Sequence, residues 1–239
     1  MNVFLVMNLF GYEEVLPVPI NLPKNMLTVY ITDNEYYSEL AKSKGWDIVK
    51  VIDKFLHISD RFERRVAIGY IKTYPHKIVP EILEHDLIFV CDSNIVSLWL
   101  EYDSFVNNSI NSNAALFVTS GNYTGSEDGI SSELDRSLKA DRWSYNHSSI
   151  SKCGERYKNE LLDNNIEPDS LSIVSAKYIG WNIKHENYEI LSDIFYNEVC
   201  KNLQSNIILT YLSGMYKDIY NYHTNNYDGA LINSHKFSA

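Results

Sequence analysis

The chain has 239 residues, of which 45% are hydrophobic and 22% are charged, and its formal net charge is −10 at pH 7. A chain of this length can bury about 70–75% of its unfolded surface, so one domain spanning residues 1–239 is expected. Binding to nucleic acid needs clustered Lys and Arg, and the excess of acidic residues argues against such a partner.

The sequence favours a cytoplasmic protein. No run approaches the roughly 20 apolar residues of a membrane span, so no span is expected. Residues 1–10 lack the basic start of a signal peptide and favour a first strand. Cys91, Cys153 and Cys200 are odd in number and lack metal-ligand spacing, which favours reduced thiols. The many Tyr and Asn residues suggest an AT-rich genome through codon bias, and if that genome is viral the compartment is the host cytoplasm.

The first half of the sequence alternates apolar runs with helix signals. Short apolar runs bounded by turn residues predict strands over 2–8 and 27–32, and a loose alternation predicts another over 46–52. Asp60 is a helix cap in front of an amphipathic stretch that Pro75 ends. A helical turn over 79–84 leads to a strand that begins at Leu87.

The second half continues the alternation. A helix is predicted over 95–106, a solvated loop over 107–113, a strand over 114–119 and a helix over 126–139. A strand over 170–176 and helices over 188–203 and from 206 to about 220 follow. Strands alternating with helices predict a layered α/β sheet that is mostly parallel.

The strand that begins at Leu87 ends in Asp92-Ser93-Asn94. Ligands of open α/β sheets bind at the carboxyl ends of the strands, where Asp92 is expected to lie. In an extended chain Asp92 and Asn94 direct oxygens to one side, and oxygens suit a hard cation shared with phosphate. The alternative interpretation is a turn, which Asp, Ser and Asn favour for local reasons.

A series of motifs occurs in order within the first 95 residues: FGYEEVLP at residues 10–17, Thr32-Asp33, Arg65, Lys72, Pro75-His76 and Asp92-Ser93-Asn94. In content and order this series resembles that of the DUF616 (TOD1-like) family of the nucleotide-sugar (GT-A) glycosyltransferase superfold. The family usually has glycine where this chain has Ser93, so the backbone freedom of glycine is missing there. The resemblance implies a GT-A-like three-layer α/β fold, with a central mostly parallel mixed sheet flanked by helices.

The resemblance also implies a metal-dependent glycosyltransferase. It would move a sugar from a nucleoside-diphosphate donor, expected to be UDP-linked, to a glycan or another hydroxyl acceptor. Residues 1–95 would form the nucleotide-sugar-binding half and residues 96–239 the acceptor-binding half. The residues expected to contact the donor are Gly11, Tyr12, Asp33, Arg65, Lys72, His76 and Asp92.

The side-chain chemistry suggests how the donor would be held. Arg65 offers a bidentate fork and Lys72 a point charge to a diphosphate, although a solvated helix face also explains both. Tyr12 is suited to stack on a uracil. Asp33 ends the second strand, where it would meet the nucleoside unless it only forms a turn. His76 follows a helix-breaking proline and would contact phosphate or sugar.

Further candidates lie in the second half. Some enzymes of this superfold close the site with a carboxyl-terminal His. Of His223 and His235, His223 is the expected third ligand, beside Asp92 and Asn94, of Mn²⁺ or Mg²⁺, although an ordinary surface histidine is the alternative. Asp128 follows a flexible segment and is the expected general base of an inverting transfer, although a helix-start charge is the alternative. Trp181 adjoins hydrogen-bonding groups, as a sugar-binding face requires, and is equally consistent with a core position.

Two other functions remain open from the sequence. The Asp92 pocket is also consistent with a metal-dependent nucleotidyltransferase or phosphoesterase. A non-catalytic carbohydrate-binding module with the same fold would retain the aromatic residues without productive metal. The products distinguish the enzymes, because sugar transfer releases a nucleoside diphosphate and nucleotidyl transfer releases pyrophosphate.

Overall fold

The computed structural model describes residues 2–10, 25–53, 57–92, 97–121, 129–139, 147–201 and 204–224. The elements of the first half are β1 (Asn2–Asn8), β2 (Met26–Thr32), α1 (Glu35–Ser43), β3 (Ile48–Val51), α2 (Arg61–Thr73), α3 (Pro75–Ile78), a 3₁₀ helix (Pro80–Glu84) and β4 (Leu87–Asp92). Those of the second half are α4 (Ser97–Ser112), β5 (Leu116–Gly121), α5 (Ile130–Lys139), α6 (His147–Asp163), a 3₁₀ turn (Pro168–Ser170), β6 (Val174–Asn182), α7 (Tyr188–Cys200), α8 (Ser205–Met215) and β7 (Ile219–Thr224).

The strands of the described residues form one sheet in the order β3-β2-β1-β4-β6-β5-β7. Strands β1 to β4 are mutually parallel, β6 runs antiparallel to both β4 and β5, and β7 is parallel to β5. One edge of the sheet therefore collects the carboxyl ends of every strand except β6, together with the amino end of β6. We call it the carboxyl edge.

Successive side chains of a strand point to opposite sides of the sheet. Because β1, β2 and β4 contain runs of buried residues, both faces of the sheet are covered. Leu5 and Val90 belong to one buried cluster, which also contains Ile71 of α2. Phe4 and Phe89 belong to the opposite cluster, in which Phe105 of α4 and Ala41 of α1 take part. The third cluster packs α5, α6, α7 and α8 against β5 and β6. The result is a sheet covered by helices on both sides.

This architecture confirms the predicted three-layer α/β fold with a central, mostly parallel mixed sheet flanked by helices. The predicted cap of α2 is also confirmed, because the Asp60 carboxylate accepts a hydrogen bond of 2.9 Å from the Glu63 amide. The division into a donor half and an acceptor half at residue 95 stays a prediction.

The predicted loop over 107–113 is wrong, because α4 continues to Ser112. Polar side chains of this stretch form hydrogen bonds inside the helix. Asn111 donates to the Asn107 carbonyl at 2.9 Å, and Ser112 donates to the Ser109 carbonyl at 2.9 Å. Asn113, with a φ of 48°, then ends the helix in the left-handed conformation that asparagine tolerates. Packing of Phe105 and its neighbours outweighs the weak helix propensity of asparagine.

Other boundaries also differ from the sequence prediction. The helix predicted to reach residue 220 ends at Met215, and β7 follows it. The strand predicted over 170–176 lies over Val174–Asn182. Helices α1 and α6 had no counterpart in the sequence prediction. Trp181 is fully buried, and its indole N–H donates to the Lys72 carbonyl at 2.7 Å, so it is a core residue and not a sugar-binding face.

Candidate functional site

The candidate site lies at the carboxyl edge, where β4 ends in Asp92. Strand β4 is buried as far as Cys91, and its register places Asp92 opposite Met7 of β1. Cys91 belongs to the cluster on the α1 side of the sheet, so the alternation of side chains directs Asp92 toward the side covered by α2. Its side chain is 33% exposed. A carboxylate at a sheet edge of this kind is placed to meet a ligand.

Lys72 reaches the same place from α2. Its Nζ lies 3.0 Å from Asp92 Oδ1 and donates a hydrogen bond of 2.6 Å to the Ala176 carbonyl. Only 8% of the Lys72 side chain is exposed. Helix α2 begins at the carboxyl edge, because the Arg64 guanidinium near its start lies 5.5 Å from the centre of the ring of Phe10, which follows β1. Helical side chains lean toward the amino end of their helix. The long lysine side chain therefore runs back along the helix toward this edge.

Burial of an ammonium is unfavourable unless the charge is paired and hydrogen-bonded. Lys72 meets this requirement with one carboxylate and one main-chain carbonyl. The pair joins α2 to the end of β4, a contact that the sequence pattern of neither element predicts. The structure thus brings together two of the residues predicted to contact the donor, Lys72 and Asp92.

Arg65 lies on the same face of α2 as Lys72, since seven residues make about two turns, and about 10 Å nearer the start of the helix. Its guanidinium nitrogens are shielded from solvent. The neighbouring Arg64 instead donates through Nε to the Ile58 carbonyl at 2.7 Å and packs over Phe10. The structure therefore gives Arg64 a local structural role and places Arg65 on the helix face that carries Lys72.

Asp33 stands at the carboxyl edge after β2, two strands from β4, a separation of about 10 Å at the usual strand spacing. Its Oδ2 accepts a hydrogen bond of 2.5 Å from the Phe10 amide. Phe10 has a φ of 68°, so this bond holds an uncommon backbone conformation just after β1. Asp33 thus orders the chain at the edge, and its contact with a donor stays a prediction.

His76 is not brought to the carboxyl edge. Its Nδ1 lies 3.3 Å from the Tyr188 hydroxyl, and Tyr188 begins α7 after the carboxyl end of β6. Because β6 is antiparallel, that end lies at the opposite edge of the sheet. Burial, assisted by the charge of Lys77, lowers the pKa of His76 below its usual value. The lowered pKa favours a neutral imidazole that packs against Tyr188. The contact of His76 with a donor stays a prediction.

Of the remaining predicted residues, the structure describes only the backbone of His223. Gly11, Tyr12, Asn94 and Asp128 lie outside the described residues. The backbone of His223 pairs with Ser120 at the carboxyl edge, on β7. Three strand spacings, about 14 Å, separate β7 from β4. The structure does not describe the His223 side chain.

The resemblance implies a divalent cation at this edge. Of the three predicted ligands, Asp92 is the one whose side chain the structure describes, and its Oδ1 already faces the Lys72 ammonium. Within the described ranges, no group of three or more His, Cys, Asp or Glu side chains is placed to hold a metal ion. The described part of the site does not by itself fit such an ion. Mn²⁺ or Mg²⁺ at Asp92, Asn94 and His223 stays a prediction.

Sequence reasoning missed Ala176 and the residues that support it. The Ala176 carbonyl accepts from Lys72, and its amide donates to Asn206 Oδ1 at 2.9 Å. Main-chain groups carry no side-chain signal, and 104 residues separate Lys72 from Ala176. The one hint in the sequence was the strand predicted over 170–176, which includes Ala176 but does not identify its partner.

The fold and the site together define the class, a three-layer α/β protein whose carboxyl edge carries a buried lysine and a strand-end aspartate. The sequence matches no known family model, and no curated protein is significantly similar to it. The likeness to the DUF616 (TOD1-like) family therefore stays a prediction.

Several solved structures are similar to this chain in fold alone. Mouse xyloside xylosyltransferase 1 in its apo form has a TM-score of 0.47 at 11% identity, covering 93% of this chain and 85% of that chain. A CMP:2-keto-3-deoxy-manno-octonic acid synthetase complexed with CTP has a TM-score of 0.46 at 8% identity, covering 94% and 90%. The bifunctional glycosyltransferase WbbM has a TM-score of 0.49 at 13% identity, covering 91% of this chain and 38% of that chain.

In the part of the chain that the structure describes, no helix combines the length and the apolar character needed to cross a membrane.

Proposed function

We propose that this protein is a glycosyltransferase that binds a nucleoside-diphosphate sugar at the carboxyl edge and transfers the sugar to a glycan or another hydroxyl acceptor. The donor is expected to be UDP-linked. The observation that carries the proposal is the buried Lys72 ammonium, held 3.0 Å from Asp92 at the end of a buried parallel strand. This is the edge at which open α/β sheets bind their ligands.

The charge arrangement supports an anionic ligand. The chain carries a net charge of −10, yet α2 directs Lys72 to the edge and carries Arg65 on the same face. A local cationic group reverses the field at a site even when the whole protein is acidic. Replacing a buried ion pair with apolar residues is often neutral or stabilising, so stability alone is a weak reason for a charged residue at position 72.

The proposed chemistry follows from these positions. In sugar transfer the leaving group is a nucleoside diphosphate, which gains negative charge as the glycosidic bond breaks. Lys72 would stabilise that charge as a compact point charge, and Arg65 would hold phosphate oxygens through its planar fork. The acceptor hydroxyl must lose a proton, and Asp128 is the residue proposed to take it in an inverting reaction.

The cation remains part of the proposal. Asp92, Asn94 and His223 are the residues proposed to hold Mn²⁺ or Mg²⁺, and metal dependence of donor binding tests them. Asp92 is already paired with Lys72, so binding of Mn²⁺ alone is a poor measure of its role. The test therefore compares the affinity for UDP with and without Mn²⁺.

A panel of nucleotide sugars, screened by thermal shift with and without Mn²⁺, identifies the donor, because a ligand that binds the native state raises its melting temperature. Phosphorus NMR then identifies the product formed from that donor. Release of a nucleoside diphosphate supports the proposal, and release of pyrophosphate would instead identify a nucleotidyltransferase. Sugar binding without turnover would identify a carbohydrate-binding module.

A further inference from the structure

The amino end of β6 is irregular at the point where it meets the site. Val118 of β5 pairs with Ile179, but the next residue, Thr119, pairs with Ser175. Residues 176–178 of β6 therefore bulge from the β5 pairing, while Tyr178 still pairs with Cys91 of β4. Bulges of this kind bend a strand and redirect its groups, and they are frequent beside active sites.

Two hydrogen bonds fix the bulged Ala176. Its carbonyl accepts from Lys72 at 2.6 Å, and its amide donates to Asn206 Oδ1 at 2.9 Å. Asn206 lies in the first turn of α8. One turn further along, Thr210 Oγ1 accepts from the Val174 amide at 3.0 Å. The same face of α8 therefore binds β6 at two main-chain amides, of which one belongs to the residue that holds Lys72.

The Asn206 amide is oriented by a buried acid. Its Nδ2 donates to Glu133 Oε1 at 3.4 Å, and Glu133, in the first turn of α5, is only 3% exposed. A carboxylate accepts hydrogen bonds, so Glu133 turns the amide nitrogen toward itself and leaves the oxygen for Ala176. Arg136 forms an ion pair with the same carboxylate and holds it in place.

We infer that Asn206, oriented by Glu133, is a positioning residue that fixes Lys72 for the donor diphosphate through the Ala176 carbonyl. The inference rests on the proposed function, since it needs a diphosphate at Lys72. It adds that α5 and α8, which follow residue 95, set the geometry of a cationic group contributed by the first half of the chain.

The test is a double-mutant cycle with UDP as the probe and uridine as the reference ligand, measured by calorimetric titration. Asn206→Ala should weaken UDP binding about fivefold to tenfold, the usual effect of one lost hydrogen bond, and should leave uridine binding unchanged. In a Lys72→Met background the same substitution should have no further effect, because Asn206 acts through Lys72.

Thr210→Val is the matched control. It removes the acceptor of another β6 amide, that of Val174, from the same face of α8, whereas the Ala176 amide is bonded to Asn206. We expect normal UDP binding in this variant. An exchange of groups, Asn206→Asp with Glu133→Gln, tests orientation separately. The single substitution Asn206→Asp places two carboxylates together and should weaken UDP binding, whereas the double variant restores a donor at position 133 and should recover it.

The outcomes separate the two ideas. Additive losses from Asn206→Ala and Lys72→Met, or an equal loss in Thr210→Val, would overturn the positioning role and leave the proposed function intact. If Asn206→Ala does not fold, the exchange variants decide, and failure of the double variant to recover UDP binding overturns the inference. Absence of UDP binding by the wild-type protein, with and without Mn²⁺, contradicts the proposed function and the inference with it.

Discussion

Lys72 of α2 and Asp92 of β4 form an ion pair at the carboxyl edge, with Nζ 3.0 Å from Oδ1. The pair connects the helix that covers one face of the sheet to the end of a central strand. It is also anchored to β6, because the same ammonium donates to the Ala176 carbonyl. Three elements, α2, β4 and β6, therefore meet at the Lys72–Asp92 ion pair, at the edge where open α/β sheets bind ligands.

Asp92→Asn should reduce both stability and donor binding. The amide cannot balance the Lys72 ammonium, so we expect the free energy of unfolding to fall by about 1–2 kcal/mol, less than for a fully buried pair. UDP binding in the presence of Mn²⁺ should weaken at least about tenfold. Urea denaturation and calorimetric titration measure the two effects, and unchanged UDP affinity with Mn²⁺ would show that Asp92 has no part in donor or metal binding.

Arg65→Ala should weaken binding of UDP more than binding of uridine, since the guanidinium is proposed to contact phosphate. Loss of a charge-assisted hydrogen bond corresponds to roughly a tenfold or greater loss of affinity. Arg64→Ala is the matched control, because Arg64 is bonded to the Ile58 carbonyl and packed on Phe10. Equal losses for UDP and uridine in Arg65→Ala would indicate general structural damage.

Asp128→Asn should retain donor affinity and lose turnover, because an amide preserves shape but cannot accept the proton of the acceptor hydroxyl. Asp135→Asn, an exposed acid of α5, is the control and should turn over normally. A coupled assay for released UDP measures the rate. Normal turnover in Asp128→Asn, or a product with retained anomeric configuration, would remove the need for this base.

Glu198 should make the stability of the protein depend on pH. Burial alone would raise its pKa, but hydrogen bonds from Lys201, Tyr157 and Arg156 outweigh burial, and the pKa of Glu198 is lowered from its usual 4.5. A lowered pKa in the folded state gives stability that is present above about pH 4.5 and is lost as the pH falls through the folded value.

Glu198→Gln should therefore lower the free energy of unfolding by about 1–3 kcal/mol at pH 7, and by less near pH 3. Urea denaturation at both pH values measures the difference. A loss that is the same at both would show that packing, and not the charge of Glu198, accounts for the effect.

The sequence predicts the parts of this fold that depend on local pattern. Strands β1, β2 and β4 are apolar runs bounded by turn residues, and Asp60 is a local cap, so their positions agree closely with the structure. The end of α4 could not be predicted, because asparagine-rich segments favour loops until tertiary packing stabilises a helix. Strand β7 was missed because the helix predicted to reach about residue 220 overlaps its start, and because Asn221, His223 and Thr224 are polar.

The site was predictable only in part, for a related reason. Asp92 stands at the end of a recognisable strand, and Lys72 lies on a recognisable amphipathic helix. Their contact depends on the direction of α2 across the sheet, which no local pattern specifies. The support from Ala176 and Asn206 depends on a bulge and on a main-chain carbonyl far along the chain, and neither leaves a side-chain signature.

Calorimetric titration of UDP into the wild-type protein and Lys72→Met tests the central claim most directly. The control is Lys184→Met, which breaks another lysine–aspartate pair, with Asp86, at an exposed position on the opposite edge, where such pairs contribute little. We expect Lys72→Met to weaken UDP binding about tenfold to a hundredfold and to leave uridine binding unchanged. Lys184→Met should bind UDP with the affinity of the wild-type protein. Equal UDP affinity in the wild-type protein and folded Lys72→Met would contradict the central claim.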